Sequence, residues 1–320
     1  HSLGELQANR RLIEWLHDFN LSRPGPERVT VHGFDAPTEF TSAPSPRPYL
    51  QRAIDYLDAD IDIDDLVGDD QQWSRSEAVM DAGLSPGAAA EADALRAIAH
   101  DLLISLHARA PQLIAATSHD AWRSVRVHLT AVLGLLAYHK QAAQQVDETA
   151  RLSGLLATRD AIMARNLIDI RAEEGRRGAT IVYAHNRHLQ RERSQWTLGD
   201  MNLVWNSAGA IIDSVIGPRY TFVAGSLGTS SELGLQEPPP DTYEALLGHA
   251  TGGEHESSGW GLVPASTLVS GYSRTDVTPA QGYFPLDELT LQSADWILHI
   301  SDAVTAVRRG DAVSERNGAQ

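Results

Sequence analysis

The sequence predicts an α/β fold, a sheet covered by helices and carrying a large helical insertion. Three observations predict it. Apolar runs of strand length alternate with helix-periodic segments in the second half of the chain, residues 48–135 read as helix almost throughout, and 42% hydrophobic content over 320 residues suffices for a sizeable core. One domain over residues 1–306 is expected, with its helical insertion at about 48–150 and a frayed, charged tail at 307–320.

Taken in order, Leu12, Ile13, Leu16 and Phe19 recur at helical spacing before Asn20 and the Pro24-Gly25-Pro26 stop. This predicts an opening helix packed on the core. Val29-Thr30-Val31-His32-Gly33-Phe34 alternates into a short strand that leaves Asp35 at its end. In the insertion, Leu95, Ile98, Leu102 and Leu106 share one face, and Ser118 is placed to cap the helix bearing Trp122 and Val125. Residues 158–174 form a helix stopped by Gly175, and Ala179-Thr180-Ile181-Val182-Tyr183 is an apolar run of buried-strand type. A helix at 209–216 and strands at 220–224 and 296–300 complete the alternation, while 225–282 reads as loop.

Composition narrows the partners. Lysine and arginine total 26 against 42 aspartates and glutamates, a net charge of −16 that repels nucleic acid phosphates and anionic membranes. A small molecule is the expected partner. With no cysteine there is no disulfide, thiolate nucleophile or cysteine-bound zinc. No run reaches the ~20 apolar residues a membrane helix requires, so a cytoplasmic enzyme without a cofactor is expected. Eight aspartates crowd residues 55–70, with Asp58, Asp60, Asp62 and Asp64 at alternate positions. A calcium loop would need glycine where Ile63 stands and glutamate where Asp69 stands, so a solvated surface is the expectation.

The chemistry-bearing cluster follows the apolar run at 179–183. Ligands of an open α/β sheet sit beyond the carboxyl ends of its strands, which is where His185, Asn186 and His188 fall. Three-residue spacing alone favours structural or surface histidines; position after a strand shifts the reading to a site, where one histidine activates water and the other orients it or holds substrate. On the preceding helix, Arg159, Met163 and Asn166 line one face with Asp160 adjacent. Arg159 can hold a carboxylate bidentately and Asp160 can anchor a histidine, and an ion pair tying helix to sheet fits as well. His32 reads as a core or edge residue, and Glu254, His255 and Glu256 as an exposed glycine-rich loop rather than a metal site. Trp196, Trp205 and Trp260 are candidate walls of an apolar cleft and equally ordinary core residues.

The segment Arg159-Asp160-Ala161-Ile162-Met163-Ala164-Arg165-Asn166-Leu167, followed by Ile181-Val182-Tyr183-Ala184-His185-Asn186-Arg187-His188, resembles the erythromycin esterase family. Weaker agreement runs through Trp15-Leu16 to Asn20, Gly33-Phe34-Asp35, and Ala208-Gly209 to Tyr220. The resemblance implies that family's fold and a carboxylic ester hydrolase that opens macrolide lactones, a route to antibiotic resistance, with activated water instead of a covalent serine. The lack of a Gly-x-Ser-x-Gly elbow agrees. By the matching motif, His185 and His188 would be catalytic, with Asn186, Arg159, Asp160, Asn166 and Asp35 positioning them or the substrate.

The family also carries a Gly-Glu-x-x-His segment near its N-terminus that nothing here reproduces; Gly253-Glu254-His255 has a different spacing. The expectation is either a fragment lacking that segment or a member that has lost it, the latter a poor esterase. Two alternatives stay open: a metal-dependent hydrolase of the same fold group, and a non-catalytic ligand-binding or biosynthetic member.

Overall fold

The computed structural model describes residues 7–251, 259–278 and 281–303. The expected tail at 307–320 and the Glu254, His255, Glu256 cluster lie outside the described residues.

The helical half begins with α1 (Gln7–Leu21), which has the predicted stripe but buries none of its residues; Leu12, Ile13 and Trp15 are exposed. The periodicity sets the helix, but its apolar face is only partly covered, with Leu16 and Phe19 half-buried and Arg23 over the Phe19 ring. Asn20 then brackets the backbone of Val29, donating to its carbonyl and accepting from its N–H. Residues 29–34 form no strand ladder among the described residues and are held by side chains of the helices instead. Thr30 Oγ1 and His32 Nε2 reach Glu174 at 2.7 and 2.9 Å, and the Phe34 carbonyl accepts from Asn166 Nδ2 at 3.0 Å.

From Arg47 the chain is helical, as expected. α2 (Arg47–Leu57) leads through single turns α3 (Asp64–Val67), α4 (Gln71–Ser74) and α5 (Glu77–Met80) to α6 (Ala90–Ala108), α7 (Ala110–Ala116), α8 (His119–Ala142) and α9 (Glu148–Glu174). Leu95, Leu102 and Leu106 of α6 meet Leu50 and Leu57 of α2 and Val125, Leu129 and Leu136 of α8 in a closed core. Ser118 Oγ accepts the Ala121 N–H at 3.0 Å and Asp147 caps α9 likewise, satisfying orphan donors of the first turns. Of the aspartate run, Asp64 and Asp70 pair with Arg47, and Asp70 also accepts from Ser45.

α9 joins the two halves. Its Leu152 and Leu155 pack with Leu135 and Tyr138 of α8, while Met163 and Leu167 pack with Ala208 and Ile212 of α11 (Ala208–Ile216). Between them lies a hairpin that the sequence reading did not assign, β1 (Ser194–Leu198) and β2 (Met201–Trp205), paired antiparallel with Leu198 opposite Met201. Gly199 opens its two-residue turn at φ 58°, the sign that the first position of a II′ turn requires.

The second sheet has the order β3-β5-β4. β3 (Val223–Thr229) runs parallel to β5 (Trp296–Asp302), and β4 (Trp260–Pro264) runs antiparallel to β5. α12 (Tyr243–Thr251) covers one face, with Leu247 against Ala224 and Ile297. On the other, Val223, Trp260, Leu262, Trp296 and Leu298 are exposed, so among the described residues the sheet is covered on one side rather than both. β3, α12 and β4 also correct the reading of 225–282 as loop: they are short elements set between the proline and glycine clusters that dominate its composition.

The expected strand at 179–183 is extended but unpaired among the described residues. Val182 and Ala184 pack inward, whereas Ile181 and Tyr183 are 95% and 92% exposed. It is half-buried with period two, not buried on both faces. After it comes the single turn α10 (Asn186–Leu189). Gly209 of α11 lies so close to this turn that an added Cβ would overlap the Leu189 carbonyl. Gly209→Ala is therefore expected to cost about 1–3 kcal/mol, read as a lowered urea midpoint; an unchanged midpoint would refute the close approach. The remaining helix, α13 (Glu288–Ser293), is capped by Asp287.

Candidate active site

His185 is the N-cap of α10, and its Nδ1 accepts the Arg187 backbone N–H at 3.1 Å. Receiving that donor fixes the lone pair on Nδ1, so the neutral ring carries its proton on Nε2. Protein crowded around the ring, and then the charges of His188 and Arg187, lower the pKa to about 4. Solvent that reaches the residue screens part of this effect. At neutral pH His185 is an uncharged N–H donor.

His188 has the opposite tautomer. Its Nδ1 lies 2.5 Å from Asp160 Oδ1, and a carboxylate can only accept, so Nδ1 holds the proton and Nε2 the lone pair. The Asp160 side chain is wholly buried, and its Oδ2 accepts from Trp205 Nε1 at 2.5 Å. Two donors thus compensate the desolvation of this carboxylate. The His188 side chain is 21% exposed, and its Nε2 makes no hydrogen bond among the described residues.

The turn bearing both histidines is fastened at its carbonyls. Tyr220 Oη donates to the Leu189 carbonyl and Ser207 Oγ to that of Gln190, each at 2.5 Å, while the same Ser207 caps α11. Asn186 clamps the turn to β3, donating to the Gly225 carbonyl at 2.8 Å and accepting its N–H at 2.9 Å. Both ends of its amide are engaged with backbone. Arg187 pairs with Asp287 at 2.9 Å and lies 5.9 Å from the centroid of the Phe284 ring.

Arg159 and Asp35 meet each other rather than the histidines. Arg159 holds Asp35 bidentately at 3.1 and 2.6 Å; burial opposes its charge, and Asp35 overrides it, keeping the guanidinium above its ordinary pKa. Asn166 bonds the Phe34 carbonyl. A cavity of about 360 Å³ opens beside Asp35, lined also by Thr38, Glu39, Ser42 and Ser74. Of the three tryptophans, Trp205 is the partner of Asp160, Trp196 stacks with other aromatic rings, and Trp260 stands on the open sheet face.

Sequence reasoning passed over Phe284, whose ring stands edge-on to His185 at 4.9 Å, and did not see Trp205 as the partner of Asp160. The alternation leading into Trp205 signals β2; nothing local signals Phe284. Among the described residues, no three His, Asp or Glu side chains gather around a common point, and no helix is long and apolar enough to cross a membrane.

Known proteins share this architecture. A Bacillus cereus protein is 13% identical, with a TM-score of 0.58 over 92% of this chain and 72% of its own. A histidine mutant of the erythromycin esterase EreC, in its open conformation, is 15% identical, with a TM-score of 0.57 over 93% of this chain and 74% of its own. A succinoglycan biosynthesis protein is 14% identical, with a TM-score of 0.58 over 92% of this chain and 70% of its own. No curated protein sequence matches the chain. The erythromycin esterase family, however, matches residues 3–304. With nearly its whole length matched, and with the paired helix and histidine segments at its centre, the chain belongs to the erythromycin esterase family.

Proposed function

We propose that the chain hydrolyses an ester or lactone by adding water directly to the carbonyl, with His188 as general base and His185 as oxyanion donor. The observation that supports this most is the pair of opposed contacts on one turn, His188 Nδ1 against a buried carboxylate and His185 Nδ1 accepting a backbone N–H, which leaves a lone pair on Nε2 of the first and an N–H on Nε2 of the second. His188 Nε2 takes a proton as the water oxygen attacks the carbonyl carbon, and Asp160 stabilises the imidazolium that forms. His185 Nε2–H donates to the oxygen that becomes negative. On collapse, the C–O bond to the alcohol breaks and His188 returns its proton to the leaving oxygen. The products are an acid and an alcohol, joined in one molecule if the substrate is a lactone.

The family and the EreC neighbour make a macrolide lactone the first substrate to test. Ring opening is read by mass spectrometry as the gain of one water, for the parent chain, His185→Ala and His188→Ala. Loss of about 10²–10⁴-fold in kcat for His188→Ala is expected of a general base. Unchanged turnover in both variants would sink the assignment of roles. Absence of turnover on macrolides, with turnover on simpler esters, would sink the macrolide alone.

A further inference from the structure

The loop that sets Phe284 against His185 is held by a buried carboxyl group on another element. Phe284 stands edge-on to the His185 ring at 4.9 Å, with the Arg187 guanidinium 5.9 Å from the Phe284 centroid. Yet among the described residues the segment 283–286 makes no backbone–backbone hydrogen bond. It is anchored through Glu244 instead. Tyr283 Oη and the Leu286 N–H, on either side of Phe284, both donate to Oε1 of Glu244 on α12, each at 2.9 Å. Tyr283 Oη in turn accepts the Leu227 N–H of β3 at 3.1 Å, two residues beyond the Gly225 that Asn186 clamps.

Glu244 is fully buried, and its second oxygen has no partner. Burial opposes its charge and raises its pKa above the ordinary glutamate value. An apolar side chain would avoid that cost but leave Tyr283 and Leu286 without their acceptor. Phe284 also precedes Pro285, which confines it to extended backbone. Holding the residues on both sides therefore leaves its ring little freedom. His185 needs such a neighbour, because its ring has a single hydrogen bond, at Nδ1, and can pivot about it. A ring packed edge-on stops that pivot.

We infer that Glu244 is a positioning residue of the site: through Tyr283 and Leu286 it holds Phe284 against His185 and so sets the direction in which Nε2–H points. Its role rests on the one proposed for His185, and the first readout of the test needs no turnover.

The ¹H–¹³C spectrum of the histidine rings is recorded for the parent chain, Phe284→Ala, Glu244→Leu, Tyr283→Phe and Glu244→Gln. Phe284→Ala removes the ring current felt by His185 and calibrates the shift of its ring protons. Glu244→Leu should move the same resonances most of that way, and Tyr283→Phe, which keeps the Leu286 bond, less far. Glu244→Gln should restore the parent shift, because its amide oxygen takes both donors and its NH2 stands where Oε2 already lacks a partner. In ester hydrolysis kcat should fall about ten-fold in Phe284→Ala and Glu244→Leu, with KM little changed.

His185 resonances that keep their parent positions in a Glu244→Leu chain shown folded by circular dichroism would overturn the inference. A merely structural Glu244 gives that result, with a lowered urea midpoint and nothing else. If Glu244→Leu does not fold, Tyr283→Phe decides: a shift toward that of Phe284→Ala supports the positioning role, and no shift overturns it. If no ester is cleaved, the hydrolase reading fails, and the ring shifts still decide whether Glu244 holds Phe284 on His185.

Discussion

Asp160→Asn should reduce kcat by about 10³–10⁴-fold while leaving the chain folded, because the change reverses the tautomer of His188 rather than removing a side chain. In the parent chain the buried carboxylate accepts from both His188 Nδ1 and Trp205 Nε1. An amide in its place keeps one accepting oxygen, which the Trp205 N–H claims since that group can only donate. The amide NH2 is then turned toward His188 and donates to Nδ1, driving the ring proton to Nε2. A base without its lone pair cannot take a proton from water. The ¹⁵N shifts of His188 report this directly: the protonated nitrogen should move from Nδ1 to Nε2. An Asp160 that only holds the ring in place would move this pattern without the loss in kcat, and full activity or an unmoved tautomer would refute the assignment.

Acid should unfold the chain well before its carboxylates are titrated out. His139 is fully buried and edge-on to Trp73 at 5.1 Å, with neither ring nitrogen in a hydrogen bond; the Pro44 carbonyl lies near without completing one. Burial lowers its pKa from 6.5 to about 4. The fully buried His299, held only at Nδ1 by Ser226, is likewise lowered to about 4. Between pH 4 and 6.5 the unfolded chain therefore binds protons that the folded chain refuses, so stability is complete above 6.5 and falls as pH drops through this window. Each ring accounts for roughly 3 kcal/mol at the lower end, against the ~5–15 kcal/mol that holds a typical domain together. Urea midpoints measured from pH 7 to 4.5 should fall steeply, and His139→Leu should remove about a third to a half of the slope, since His185 adds a solvent-screened share of its own. A pH-independent midpoint would mean that these histidines are hydrated in the folded chain.

Legibility in the sequence follows the range of the forces involved. Periodicity and caps are local, so the helical block, Ser118 and the helix at 209–216 emerge from the text of the sequence nearly where the structure has them. The Asp160 and His188 segments are readable because each sits at a helix face or strand end whose position implies its direction. The hairpin at 194–205 carries the signals of alternation and a glycine turn, but each of its strands is only five residues long, too short for the alternation to stand out from its polar surroundings. Burial is different. The runs at 29–34 and 179–184 have strand composition, yet whether a strand is paired depends on what lies beside it, which no local pattern states. The meeting of Phe40, Trp196 and Phe284 is of the same kind, three rings whose convergence exists only in the folded chain.

The position of Asp160 along α9 has a mechanical consequence. α9 has 27 residues, a rod about 40 Å long, packed through Leu152 and Leu155 on the helical half and through Met163 and Leu167 on α11. Asp160 is the thirteenth residue of this rod, close to its midpoint. Its carboxylate therefore lies on the seam between the two halves, held in register by the packing of both.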